Sequence, residues 1–301
     1  MVEREVKILH IKESKGEKIF YACNNIWMIL LCAVMVYPVL FVLGRSFMEQ
    51  SFLAKNPLAI LPTHFSLEGY QFIFAEQSYM MNAYMVTIAR AITGTVCNLF
   101  FTILFAYVLS KKYYPGRTVM TFMVVFTMWF SGGLVPYFLV IRGLGLINKF
   151  AVYILPGLIS AWNLMLLRNF FMSIPSDMEE AAIIDGANDI TILFRIYIWL
   201  SSPVLATLAL FYAVGHWNSW FDSLMFVNNR KLWTLQLMLQ QVVSSTNVNS
   251  IMDPSAIIEQ TIPMEIVKNA CIVVATLPII CVYPFLQKYF VKGIMVGSLK
   301  G

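Results

Sequence analysis

Two short stretches of this 301-residue chain hold most of the side chains with chemical capacity. The first runs from Ser176-Asp177-Met178-Glu179-Glu180-Ala181-Ala182 to Asp185-Gly186-Ala187-Asn188-Asp189. Ser176 and Glu179 have the spacing of a capping box, in which hydroxyl and carboxylate reciprocally satisfy the first amides of a helix. Gly186 suits the stop of that helix, because glycine takes the left-handed conformation without steric cost. Asn188 or Asp189 then caps a second helix over Ile190–Leu200. The product is a two-helix corner. Ala181, Ala182, Gly186 and Ala187 let another protein's backbone approach closely, and Glu180 and Asp185 offer it charge. This is docking chemistry, and its rival is an amphipathic helix lying on a membrane surface.

The second stretch is His216-Trp217-Asn218-Ser219-Trp220-Phe221-Asp222, echoed more weakly by Trp162-Asn163 and Trp129. Indoles stack on sugar faces, while amides and carboxylates bind hydroxyls, so these residues suit contact with a saccharide. An interfacial aromatic belt packed against a partner explains the same residues. Catalytic signatures are missing: the sequence has no G-x-x-x-x-G-K-[ST] phosphate loop, no H-E-x-x-H and no G-x-S-x-G. Energy for any work must come from another subunit or from a gradient. Cys23, Cys32, Cys97, Cys271 and Cys281 lie in or beside apolar stretches without a CxxC pair, and read as small apolar packing residues.

The elements that must position these groups are set by composition. Hydrophobic residues make up 59% of the chain and charged residues 12%, and the mean hydropathy is +0.72. A soluble domain carries about 25% charged residues. A cytosolic enzyme, a disordered chain and a disulfide scaffold are thereby excluded. Apolar runs fall at 20–44, 82–110, 118–141, 151–172, 201–224 and 266–287, each near the roughly 20 residues that a membrane helix needs. The fold class expected is all-α, a polytopic membrane protein of six transmembrane helices. Ser131-Gly132-Gly133 followed by Pro136 makes the third run the one to bend. No cleavable leader is expected, because the run starting near Phe20 is too long.

Lys/Arg asymmetry sets the orientation. Arg4, Lys7, Lys12, Lys15 and Lys18, then Lys111, Lys112 and Arg117, then Arg195, then Lys288, Lys292 and Lys300 outnumber Lys55, Arg142, Lys149, Arg230 and Lys231. Both termini and the 173–200 loop are expected in the cytoplasm. The formal charge of +5 therefore reports topology, with no nucleic-acid partner implied. The organisation read is a cytoplasmic tail over 1–19, a six-span transmembrane bundle over 20–287 and a second cytoplasmic tail over 288–301. The 225–265 segment, rich in Asn, Gln and Ser, reads as a hydrated outer loop that offers hydrogen bonds to another protein.

Glu180-Ala181-Ala182, three residues, Gly186, nine residues and Ile196 resemble the EAA loop of ABC-importer permease subunits. Asp185-Gly186-Ala187, Phe194, Ser202-Pro203, Trp217-Asn218 and the ending from Gln287 to Gly301 are similar to its carbohydrate branch, the maltose-type permeases. The sequence departs where Ile198-Trp199 replaces the usual Leu-Pro, which removes the proline that would bend the chain there. The resemblance implies a coupling helix in the 173–200 loop, with Glu180, Ala181, Ala182, Asp185, Gly186 and Ala187 docking on an ATP-hydrolysing subunit. It implies a second homologous permease subunit, two ABC ATPase subunits that bind ATP and Mg, and an extracytoplasmic sugar-binding protein. This chain itself would hold no cofactor, would not be an enzyme, and would lie in lipid as a multi-pass protein of a bacterial cytoplasmic membrane. Its cargo would be an oligosaccharide, in particular acidic polysaccharide fragments such as alginate or pectin oligomers, moved by alternating access. The substrate path is expected to use Trp162, Asn163, His216, Trp217, Asn218 and Trp220. The alternative is a gradient-driven secondary transporter. Its coupling carboxylate would lie at mid-membrane, whereas Asp222, the one carboxylate within a run, sits at a run's end.

Overall fold

A computed structural model describes residues 14–56, 59–60, 65–75, 78–244 and 265–281. Among these the regular structure is helical, with one isolated bridge between Met48 and Phe65. The Met80–Ser110 helix is the mast of the bundle and packs along Ser202–Asn218 and Ala161–Met172. Its buried stripe is small and polar: Ala83, Thr87, Arg90, Gly94, Asn98 and Thr102 recur every three or four residues. Its opposite face exposes Met81, Met85, Ile92, Val96 and Phe100. A helix in water would turn the large apolar side chains inward. Lipid makes that unnecessary, so close backbone contact and hydrogen bonding take the interface. Gly94 shows how close: a Cβ there would lie 2.3 Å from the His216 ring.

The Lys15–Ser46 helix begins with a capping box of Ser14 and Glu17, continues through Pro38 and buries only Ser46. Together with Met80–Ser110 it is long and apolar enough to cross a membrane. Two bent pairs bring the number of candidate spans among the described residues to four. Phe150–Gly157 meets Ala161–Met172 at 49°, and Asp189–Leu200 meets Ser202–Asn218 at 83°.

The third run is broken where the glycines predict. Helix Arg117–Trp129 ends, Gly133 takes a φ of 84°, and Leu134–Gly143 resumes. The fourth run opens as two 3-10 turns around Pro156 before Ala161–Met172 begins, capped by Ser160. The sharp bend ahead of Ser202–Asn218 forms although position 199 is tryptophan, because Pro203 supplies the break within the first turn of the next helix.

The 225–265 segment is only partly a hydrated loop. Leu235–Ser244 is an amphipathic helix that buries Leu235, Leu237, Met238 and Val242, with Gln240 and Gln241 on its more exposed side. Thr87 ties it down, accepting a hydrogen bond from the Leu235 amide at 2.8 Å. The helix over 265–281 completes that end, with Val267, Ala270 and Cys271 in the same cluster as Met80 and Trp217. Residues 1–13, the rest of the Asn/Ser-rich segment and the C-terminal ending lie outside the described residues.

Candidate functional site

The corner over 176–189 forms from local rules. Helix Ser176–Ile184 closes at Gly186, whose φ is 82°. The Ala187 amide donates to the Ala182 carbonyl and the Gly186 amide to the Ile183 carbonyl, both at 2.9 Å, which satisfies the last carbonyls of the helix. Asn188 then caps the next helix by accepting from the Thr191 amide at 2.8 Å. The structure thus chooses Asn188 over Asp189 as the cap.

The start of the first helix differs from expectation. Pro175 is the N-cap, and no side chain caps the helix. Ser176 turns to Asp177 at 3.4 Å. Glu179 is taken elsewhere: its Oε1 lies 2.5 Å from Lys111 Nζ, and its Oε2 accepts from the Tyr197 hydroxyl at 2.8 Å. Lys111 also donates to the Tyr197 hydroxyl at 3.2 Å and sits over the rings of Tyr107 and Tyr197. An ion pair with a buried ammonium outcompetes a solvent-exposed cap for the one carboxylate. Nearby, the Tyr113 hydroxyl donates to Asp189 at 3.4 Å. Burial, and then the charges of Asp189 and Glu179, push this phenol above its ordinary pKa, so it stays protonated as a donor.

Above this base the corner is bare. Helix Ser176–Ile184 buries no residue, and Glu180, Ala181, Asp185 and Gly186 are exposed, while Ala182 and Ala187 pack partly against the bundle. Ile184 is 86% exposed, with Ile183 and Met178 open beside it. A stiff protrusion carrying apolar side chains flanked by two acids has the makeup of a protein contact.

A second feature lies toward the other end of the mast. An open cleft of about 360 Å³ is bounded by Arg90, Asn98, Tyr137, Tyr153, Asn163, Tyr212, His216 and Asp222, among others. Arg90 is its organising charge, buried and fully committed. It reaches Asp222 at 2.5 Å, His216 Nδ1 at 3.4 Å and the Ser219 carbonyl at 3.4 Å, and it stacks over Tyr153. His216 Nε2 pairs with Asn98 Oδ1 at 3.2 Å, and Asn98 donates to the Gly157 carbonyl at 2.8 Å. The Tyr212 and Thr102 hydroxyls share a hydrogen bond of 2.8 Å. The cleft therefore presents hydroxyl, amide and aromatic surface with its charge internally balanced.

The residues expected along a path separate. Asn163 and His216 bound the cleft. Trp217 is built into the core, edge-on to Tyr84 and donating to the Ala275 carbonyl at 3.1 Å. Asn218 is exposed, Trp220 lies edge-on to Phe221, and Trp162 and Trp129 face outward. Sequence reasoning missed Lys111, Tyr197 and the Arg90–Asp222 pair. The available signal was that Arg90 and Asp222 carry opposite charges, each isolated in an apolar run, and such charges seek one another.

Comparison with known proteins bears on the chain as a whole. The family described as "Binding-protein-dependent transport system inner membrane component" matches residues 116–296. The chain is 38% identical to Protein LplC of Bacillus subtilis (strain 168) over 298 residues, 99% of each chain. It is 39% identical to the polygalacturonan/rhamnogalacturonan transport system permease protein YtcP of the same organism, over 91% of this chain and 96% of that one. The fold resembles a chain in the crystal structure of a bacterial ABC transporter involved in the import of the acidic polysaccharide alginate. There the TM-score is 0.85 and the identity 32%, with 92% of this chain and 99% of that chain covered.

Proposed function

Because the chain belongs to the family of binding-protein-dependent transport system inner membrane components, we propose that it is the permease subunit of an ATP-driven importer whose cargo is an oligosaccharide cut from an acidic polysaccharide. It is a polytopic membrane protein, a permease of an ABC carbohydrate importer. The cargo class rests on two relatives, one named for polygalacturonan and rhamnogalacturonan transport and one a structure involved in alginate import.

The observation that carries the mechanism is the bare corner on its pinned base. A helix closed at its C-terminal end by the Gly186 and Ala187 amides and pinned through Glu179 moves as a unit. Here it exposes Met178, Ile183 and Ile184 beside Glu180 and Asp185. In this reading Glu180, Ala181, Ala182, Asp185, Gly186 and Ala187 seat in an ATPase subunit. Two such subunits bind ATP and Mg, a second homologous permease completes the membrane pathway, and an extracytoplasmic sugar-binding protein delivers the cargo. The same reading takes six spans with both termini in the cytoplasm, which would put the corner on the ATPase side; the Lys/Arg asymmetry of the sequence supports it. The cargo passes the cleft at Asn163 and His216, where tyrosine rings and amides meet sugar faces and hydroxyls. Gradient coupling is the weaker reading, since Arg90 already neutralises Asp222.

The test is reconstitution of the tagged chain with the subunits that co-purify with it. Uptake of oligogalacturonides or alginate oligomers that needs ATP hydrolysis and stops with vanadate is expected. Uptake that persists with vanadate and collapses with the ion gradient refutes the reading.

A further inference from the structure

We propose that Lys111 and Glu179 are positioning residues that fasten the exposed corner helix to the mast, so that displacement of the corner is delivered along the mast to the cleft. The inference rests on the importer reading above. Lys111 is the C-terminal cap of the Met80–Ser110 helix, and Arg90, which organises the cleft, lies on the same mast about 30 Å away along its axis. One continuous helix therefore carries at one end the cation that holds the corner, and farther along it the cation that holds the cleft.

The fastening is specific. Both oxygens of Glu179 are engaged, one by Lys111 and one by Tyr197. Lys111 is wedged between the rings of Tyr107 and Tyr197, which meet edge to face, and Phe171 backs Tyr197. The side chains are 7% and 16% exposed. An apolar pair of equal volume would hold two elements together without the desolvation cost of burying charge. What it lacks is direction. An ion pair with hydrogen bonds to both carboxylate oxygens fixes the rotation and register of a helix that buries no residue of its own.

The experiment uses the whole complex in a background where the five cysteines are replaced, with Gly215→Cys, whose Cβ would meet no atom within 4 Å, placed at the cleft as a reporter for a maleimide probe. Labelling rates are measured without nucleotide and with ATP plus vanadate, beside the rate of ATP hydrolysis. With Lys111 and Glu179 intact, nucleotide changes the labelling rate. Lys111→Met and Glu179→Gln are each expected to reduce that change about tenfold, the scale of a coupling between sites, with ATP hydrolysis retained. Combining them costs no more than the worse single change if they act as one pair. Variants that respond to nucleotide like the parent overturn the inference and leave the importer reading standing. So does a loss of hydrolysis in step with the loss of response, which marks a role in assembly alone. A parent complex that binds no ATPase and shows no nucleotide response removes the importer reading, and the inference with it.

Discussion

Arg90 and Asp222, both bordering the cleft, form an ion pair, 2.5 Å between Nη2 and Oδ2, with the arginine side chain 3% exposed and the aspartate 33%. The pair joins the mast to the short Phe221–Phe226 helix that follows Ser202–Asn218. Its members come from separate apolar runs, and each supplies what the other would otherwise lack in lipid. Ser219 extends the link, donating its hydroxyl to Asp222 at 3.0 Å and lending its carbonyl to Arg90.

Removing one partner should therefore cost more than removing both. Arg90→Gln leaves Asp222 without its counter-charge and is expected to lower stability by about 3 kcal/mol, the low end for a broken buried pair, because Asp222 keeps some solvent. Arg90→Gln combined with Asp222→Asn should recover most of that loss. Thermal unfolding of the detergent-solubilised variants measures both. Additive losses in the double variant would show that the two residues act independently.

Gly186 yields a prediction in which backbone and contact can be separated. No atom lies within 4 Å of a Cβ added there, yet its φ is 82°. The cost of a side chain is thus conformational, about 1–2 kcal/mol for a residue forced into the left-handed region. Gly186→Val should abolish ATP-dependent uptake while the protein still reaches the membrane. Gly186→Asn, which adopts this conformation more readily, should keep a substantial part of it. Equal uptake by the glycine and valine forms would refute the docking role.

What was legible in the sequence follows the range of the forces involved. Gly186 and Asn188 act through bonds that span three to five residues, so their types alone place the corner. Gly133 breaks the third run for a similar local reason. Glu179 was misread because its local option, capping with Ser176, competes with Lys111, which no window around the loop contains. The bend before Ser202 was obscured because the expected proline is absent at 199, although Pro203 does the same work. The Leu235–Ser244 helix hides behind its glutamines, since its apolar residues matter only once Thr87 and the 265–281 helix are beside it. Among the path candidates, spacing could not distinguish Trp217, which packs inward, from His216 on the cleft.

Close approach of the mast to Ser202–Asn218 depends on Gly94. A Cβ there would lie 2.3 Å from His216 Nε2. That ring cannot swing away freely, because Arg90 and Asn98 hold its two nitrogens. Gly94→Leu should therefore force the helices apart and destabilise the bundle by about 1–3 kcal/mol or more, as overpacking does. Gly143→Leu is the matched control, since its Cβ would meet no atom within 4 Å. A melting temperature lowered equally in both would refute the close-approach argument.

The cleft itself makes the last prediction, which separates binding from energy use. Asn163 is buried at the start of Ala161–Met172, a helix that Ser160 caps through the Asn163 amide, and it borders the cleft beside Tyr212 and His216. Its backbone is thus held independently of its side chain. Asn163→Leu keeps the number and branching of the side-chain heavy atoms while removing an amide able to bind a sugar hydroxyl. A hydroxyl left without its partner in a confined site costs about 1–3 kcal/mol, so uptake at limiting cargo should fall roughly tenfold or more. The capped helix should remain, and ATP hydrolysis by the complex without cargo should stay near the parent rate. Uptake curves over a range of oligogalacturonide concentrations, run beside cargo-free hydrolysis, distinguish the cases. Undiminished uptake at low concentration would move the sugar path away from this cleft, whereas a matched fall in both rates would make Asn163 a packing residue.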